Sequence, residues 1–204
     1  VVRHHFHATE ERRLEGLVLS GDWVTDETLG AVAEISQLKY LILTRAPNAT
    51  PDCLKSIGQL GQLQELRFLK TPQINDDSLG HLVNLQDLRA LTLLGTANVD
   101  FNLEQLSRLQ SLQVLDVGNT MRTRPRLEFL VKFPSLSKLS LRYTSLEDHD
   151  LMHLARMKQL TELGVDSWKS RINDYQLWPP CPNCNCFVFG QRKPRTKASS
   201  NSRR

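Results

Sequence analysis

Three thiols stand close together in the stretch "CPNCNC", which spaces Cys181, Cys184 and Cys186 as C-x-x-C-x-C. Thiolates at that spacing can grip Zn²⁺, but a closed structural site takes four ligands. No second C-x-x-C exists, and Cys53 lies far upstream. The cluster is therefore expected to be an end-cap of small, partly buried thiols, or a disulfide where the compartment oxidises. Metal held with an added ligand or a second chain is one alternative. A dithiol redox pair is another, although the strand–helix context of such motifs is missing.

Histidines offer the next chemistry. His4, His5 and His7 form "HHFH". In a strand His5 and His7 share a face that could hold a metal weakly, yet the expected role is an exposed N-terminal cap strand with Val2 and Phe6 turned inward. His149 and His153 are four apart, so one helical face could present both. They lack the glutamate of H-E-x-x-H, and a solvated face is expected. No nucleophile elbow, phosphate-cradling glycine loop or paired-carboxylate motif is present. The expectation is a protein that is not an enzyme, with no metal and no cofactor.

Charge is uneven. The +4 net charge rests on "QRKPRTKASSNSRR", which carries Arg192, Lys193, Arg195, Lys197, Arg203 and Arg204 and no acid. Setting those six aside from 26 basic residues leaves 20 against 22 acidic ones, so the body is about −2. A tail without aromatics or an apolar anchor is expected to be disordered and solvated. No apolar run reaches the roughly 18 residues of a membrane helix. The opening "VVRHHFHATEERR" has no Met and no signal pattern, and reads as a cut or mature terminus. The residues leave the compartment open, with the cytoplasm favoured.

What must position these groups is a repeat. Leu14, Leu38, Leu63, Leu88, Leu112, Leu136 and Leu160 each open an L-x-x-L-x-(L/F/V) segment, at steps of 24 or 25 residues. A second register follows, with Leu29, Leu54, Leu79, Leu103, Leu127 and Leu151. Three residues on from these stand Val32, Ile57, Leu82, Leu106, Leu130 and Leu154. A further three on stand Ile35, Leu60, Leu85, Leu109, Phe133 and Met157. Alternate apolar residues predict a strand with one buried face, and apolar residues every three predict a short helix or 3₁₀ turn. Asp26, Asp76, Asp100 and Asp148 stand where a cap or first-turn acid belongs, and Thr50-Pro51 reads as a cap followed by Pro at the first helical position.

This period and pattern resemble the leucine-rich repeat, a strand and a helical segment stacked into a solenoid. The match covers residues 14–178 as seven repeats, with 1–13 as an N-terminal cap segment. Residues 179–204 form a Cys-containing end and basic tail. Thr71, Thr96, Thr120 and Thr144, with "VTDETL" and "INDDSL", resemble the Thr-type repeats of bacterial, planctomycete-like proteins more than the Cys-containing repeats of F-box receptors.

The resemblance implies an α/β solenoid, with a curved parallel sheet on the concave side and short helices or 3₁₀ turns on the convex side. Side chains between the strand leucines then form three columns on the concave face. The first is Gly16, Tyr40, Glu65, Ala90, Val114, Lys138, Glu162. The central one is Val18, Ile42, Arg67, Thr92, Asp116, Ser140, Gly164. The third is Ser20, Thr44, Leu69, Leu94, Gly118, Arg142, Asp166. Lys138–Glu162 and Arg142–Asp166 are expected as cross-strand pairs. Tyr40, Ile42, Leu69, Leu94, Ala90 and Val114 around Glu65 and Arg67 have the makeup of a protein-binding patch in repeats 2 to 5.

The expected function is a scaffold binding a protein or peptide there, with no small-molecule substrate. The rival readings are the recognition part of a larger enzyme, such as a ubiquitin-ligase receptor, and a nucleic-acid or membrane tether working through the tail.

Overall fold

The computed structural model describes residues 14–96, 104–120, 127–144 and 152–165. Within them, strands and helical segments alternate along the chain. Strands β1 (Gly16–Ser20), β2 (Tyr40–Thr44), β3 (Glu65–Leu69) and β4 (Ala90–Leu94) are five residues long. β5 (Val114–Asp116), β6 (Lys138–Ser140) and β7 (Glu162–Gly164) are three. Between them lie helices α1 (Asp26–Ala33), α2 (Cys53–Ile57) and α3 (Asp76–Leu79), then 3₁₀ segments η1 (Gly80–Asn84), η2 (Gln105–Arg108) and η3 (Glu128–Lys132).

All described strands join one parallel sheet in sequence order. The register matches the leucine repeat: Leu41 pairs with Leu66, Leu66 with Leu91, Leu91 with Leu115 and Leu115 with Leu139. Strands pack about 4.8 Å apart, closer than helical segments can, so the sheet takes the inner curve. Strand entry is fastened by a recurring device. The carbonyls of Glu15, Lys39, Gln64, Arg89, Gln113 and Ser137 each accept two successive N–H groups from the next repeat, at 2.7 to 3.0 Å.

Both leucine registers form one continuous core. Leu38, Leu63, Leu88, Leu112 and Leu136 are fully buried, as are Leu54, Leu82, Leu85 and Leu109. Each such side chain contributes on the order of 2 kcal/mol by leaving water. Leu14, Leu17 and Ile35 are only partly buried, since the first repeat has a described neighbour on one side alone.

Capping follows the sequence in part. Thr25 caps α1 by accepting from the Thr28 N–H at 3.3 Å, and Asn75 caps α3 by accepting from the Ser78 N–H at 3.4 Å. The Thr50 hydroxyl accepts from the Asp52 N–H at 3.2 Å, but α2 begins only at Cys53: Pro51 lies in the turn before it, and the N-cap Asp52 makes no side-chain capping bond. Asp26 is in the first turn as expected, but its carboxylate serves the next repeat. It accepts from the Thr50 N–H at 2.8 Å and the Thr50 hydroxyl at 2.5 Å. Asp100 and Asp148 lie outside the described residues.

The turns after β1 to β6 share a feature absent from the expectations. Gly21, Arg45, Lys70, Gly95, Asn119 and Tyr143 all take positive φ, between 49° and 106°. A left-handed residue ends the strand and swings the chain outward. For a residue with a Cβ it costs about 1 kcal/mol relative to glycine. Past that turn sits a buried threonine. The hydroxyls of Thr96, Thr120 and Thr144 donate to the carbonyls of Leu93, Val117 and Leu141 at 3.2, 2.6 and 2.6 Å. The Thr71 hydroxyl is buried with no partner.

That difference predicts opposite outcomes for one substitution. Thr120→Val should lose about 1 kcal/mol of stability, because it deletes a made hydrogen bond. Thr71→Val should be neutral or stabilising by up to about 1 kcal/mol, because it removes an unsatisfied hydroxyl at constant shape. Urea unfolding of both variants checks the pair. Equal losses would show that the two hydroxyls have the same surroundings.

Candidate binding face

Six residues of the expected patch fall on three neighbouring strands and one face. Tyr40 on β2 is in register with Glu65 on β3, Ile42 with Arg67, and Leu69 with Leu94 on β4. Tyr40 is 43% exposed and Leu94 37%; Arg67 is exposed, while Ile42, Glu65 and Leu69 are half-buried. The alternation is that of strands packed on one side only: the leucines between them face the core. Gly16 is the cross-strand neighbour of the tyrosine. A Cβ there would stand 3.6 Å from the Tyr40 Cβ and 3.9 Å from its ring, so the aromatic side chain leans across repeat 1. Arg67 forms an ion pair with Glu65, two residues back along the same face. This fixes the guanidinium over β3 and leaves part of its donor fork available.

Of the two expected cross-strand pairs, Lys138–Glu162 is formed, with Nζ 2.6 Å from a carboxylate oxygen. Asp166 lies outside the described residues. The third column also changes character beyond β4. β5 and β6 end at Asp116 and Ser140, so Gly118 and Arg142 stand past the strands rather than in them. The Asp116 carboxylate accepts from the Gly118 N–H at 3.0 Å, an Asx turn that ends β5.

Here the face holds a depression of about 330 Å³ that was not among the expectations. Asp116, Lys138, Ser140, Arg142, Glu162 and Gly164 line it. Its origin is the central column, which shrinks to Ser140 and then Gly164. A Cβ at Gly164 would touch the Arg142 Nε at 3.4 Å, so the arginine side chain lies across β7. The shrinking column was the available signal; the lie of Arg142 was not.

The groups weighed for other chemistry stand apart from this face. Cys53 is a free, buried thiol in α2. Burial, reinforced by the nearby Asp26 and Asp52 charges, pushes its pKa up to about 12, the opposite of what a nucleophile needs. His153 is half-buried in the sixth repeat. His4, His5, His7, His149, Cys181, Cys184 and Cys186, like the tail from 191, lie outside the described residues. Among the described residues, no three His, Cys, Asp or Glu side chains are grouped to hold a metal ion. No helix among them is long and apolar enough to cross a membrane.

No protein-family model matches the chain, and no curated protein does. Solved structures do resemble it. Internalin C2 of Listeria monocytogenes str. 4b F2365 superposes with a TM-score of 0.68 at 23% identity, over 87% of this chain and 71% of that one. TLR13, from the TLR13–ssRNA13 complex, gives 0.62 at 16% identity over 85% of this chain and 29% of that one. Toll, from the Toll–Spatzle complex of Drosophila, gives 0.53 at 16% over 76% and 23%. The chain thus spans less than a third of either of these last two chains. At these identities the likeness concerns the fold. Together with the register of the seven strands, it shows that the chain folds as a leucine-rich-repeat solenoid.

Proposed function

We propose that the chain is a non-enzymatic scaffold that binds a protein or peptide on its concave face. The contacts are Tyr40, Ile42, Glu65, Arg67, Leu69 and Leu94. The observation that carries this reading is the grouping of an exposed tyrosine, an exposed leucine and an exposed arginine within one register of β2 to β4. Tyr and Arg are enriched among the residues that dominate interface energies. A rigid sheet holds them at little further entropic cost on binding. The internalin-like fold agrees with this role. Within the same proposal we place the repeats with the bacterial Thr-type class, supported by the buried Thr71, Thr96, Thr120 and Thr144.

Arg67→Glu combined with Tyr40→Ala should leave the Tm within about a degree or two, since both side chains are surface-held. The double variant should lose capture of the main partner from native lysate. Lys138→Ala with Arg142→Ala should change neither. Equal capture by parent and Arg67/Tyr40 variant would place the binding site elsewhere on the solenoid.

A further inference from the structure

Arg45 and Lys70 occupy the left-handed position at the ends of β2 and β3, at φ 49° and 56°. They are one strand apart: the Arg45 N–H donates to the Leu69 carbonyl and the Lys70 N–H to the Leu94 carbonyl, both at 2.9 Å. The backbone of each therefore lies next to an apolar residue of the third column, Leu69 for Arg45 and Leu94 for Lys70. Lys70 is aimed further by its neighbour. Gly95 is bare, and a Cβ there would meet the Lys70 Cγ at 3.8 Å, so the aliphatic stem rests over repeat 4 beside Leu94.

Both cations are exposed, and among the described residues neither makes an ion pair or a side-chain hydrogen bond. With Arg67 they make three positive charges at this end of the face, against Glu65, which Arg67 already neutralises, and the exposed Asp22, which follows the Gly21 bonded to the Arg45 carbonyl. No acid occupies the left-handed row, whose other described members are Gly21, Gly95, Asn119 and Tyr143. The row tolerates glycine, so the two long side chains are not required for the turn. Unpaired like charges beside an apolar patch suit a segment that carries both acidic and apolar groups.

We infer that Arg45 and Lys70 form a cationic clamp on the rim of the patch. It selects a partner segment in which one or more carboxylates flank an apolar side chain. The apolar group would lie on Ile42, Leu69 and Leu94, and the carboxylates would reach the two rim cations. This deepens the concave-face reading and rests on it.

The test is selection of a random-peptide phage library on the full chain, followed by binding of the selected synthetic peptides. Asp or Glu beside a large apolar residue should be enriched. Arg45→Gly with Lys70→Gly removes both charges while suiting positive φ, so the variant should fold at least as well as the parent. It should bind those peptides about tenfold or more weakly. Selected peptides without acidic enrichment, yet lost on Arg67→Glu with Tyr40→Ala, would overturn the clamp and leave the concave-face reading standing. Peptides insensitive to both double variants would overturn both. Tight, clamp-dependent binding of a uridine oligonucleotide without any acidic peptide would assign the cations to phosphates and overturn the peptide proposal.

Discussion

Leu91→Asp should destabilise the solenoid by about 4 kcal/mol or more and turn a single unfolding transition into a broad or divided one. Leu91 is at the centre of the stack, fully buried, and in register with Leu66 on one side and Leu115 on the other. Aspartate there removes the apolar contacts and puts a carboxylate among the leucines of the ladder. The lost apolar area alone accounts for about 3 kcal/mol, and burial of an unpaired charge adds at least about 1 kcal/mol to it. In a repeat array each unit is stabilised by its neighbours, so a defect in repeat 4 uncouples repeats 1 to 3 from 5 to 7. Leu91→Ala should cost about 3 kcal/mol with less broadening. Circular dichroism during urea unfolding separates these outcomes, and a parent-like midpoint for Leu91→Asp would remove Leu91 from the core.

Gly58→Ala should cost about 2 to 3 kcal/mol, although the backbone there is ordinary, with φ at −62°. A Cβ on Gly58 would stand 2.3 Å from the His81 carbonyl oxygen and 3.2 Å from its carbon. Those are backbone atoms of the next repeat and cannot swing aside as a side chain would. Gly30, inside α1, has nothing within 4 Å of such a Cβ. Gly30→Ala should therefore stabilise by up to about 1 kcal/mol through helix propensity. Thermal unfolding of the two variants should shift in opposite directions. A neutral Gly58→Ala would mean that α2 and η1 are farther apart than the fold described here.

The leucine spacing made the architecture legible because each apolar position has one structural meaning: strand leucines face the core and the second register packs the helical side. The strand columns were legible for the same reason, and Tyr40, Arg67 and Leu94 are exposed on the face assigned to them. The left-handed row was half written. Gly21, Gly95 and Asn119 are residues that suit positive φ, but Arg45, Lys70 and Tyr143 conceal the column. Gly58 was indistinguishable from Gly30 and Gly61, because close approach between repeats depends on where the neighbouring chain runs. Likewise, the depression of repeats 5 to 7 depends on Arg142 lying down over Gly164, and no periodicity encodes a rotamer.

Site-specific photo-crosslinking tests the central claim most directly. A benzoylphenylalanine is placed in turn at Tyr40, on the concave face, and at Met152, which is 64% exposed in the sixth repeat's second register. Irradiation in native lysate should give a partner adduct from position 40 and none from position 152. An adduct from position 152 with none from position 40 would contradict binding on the concave face.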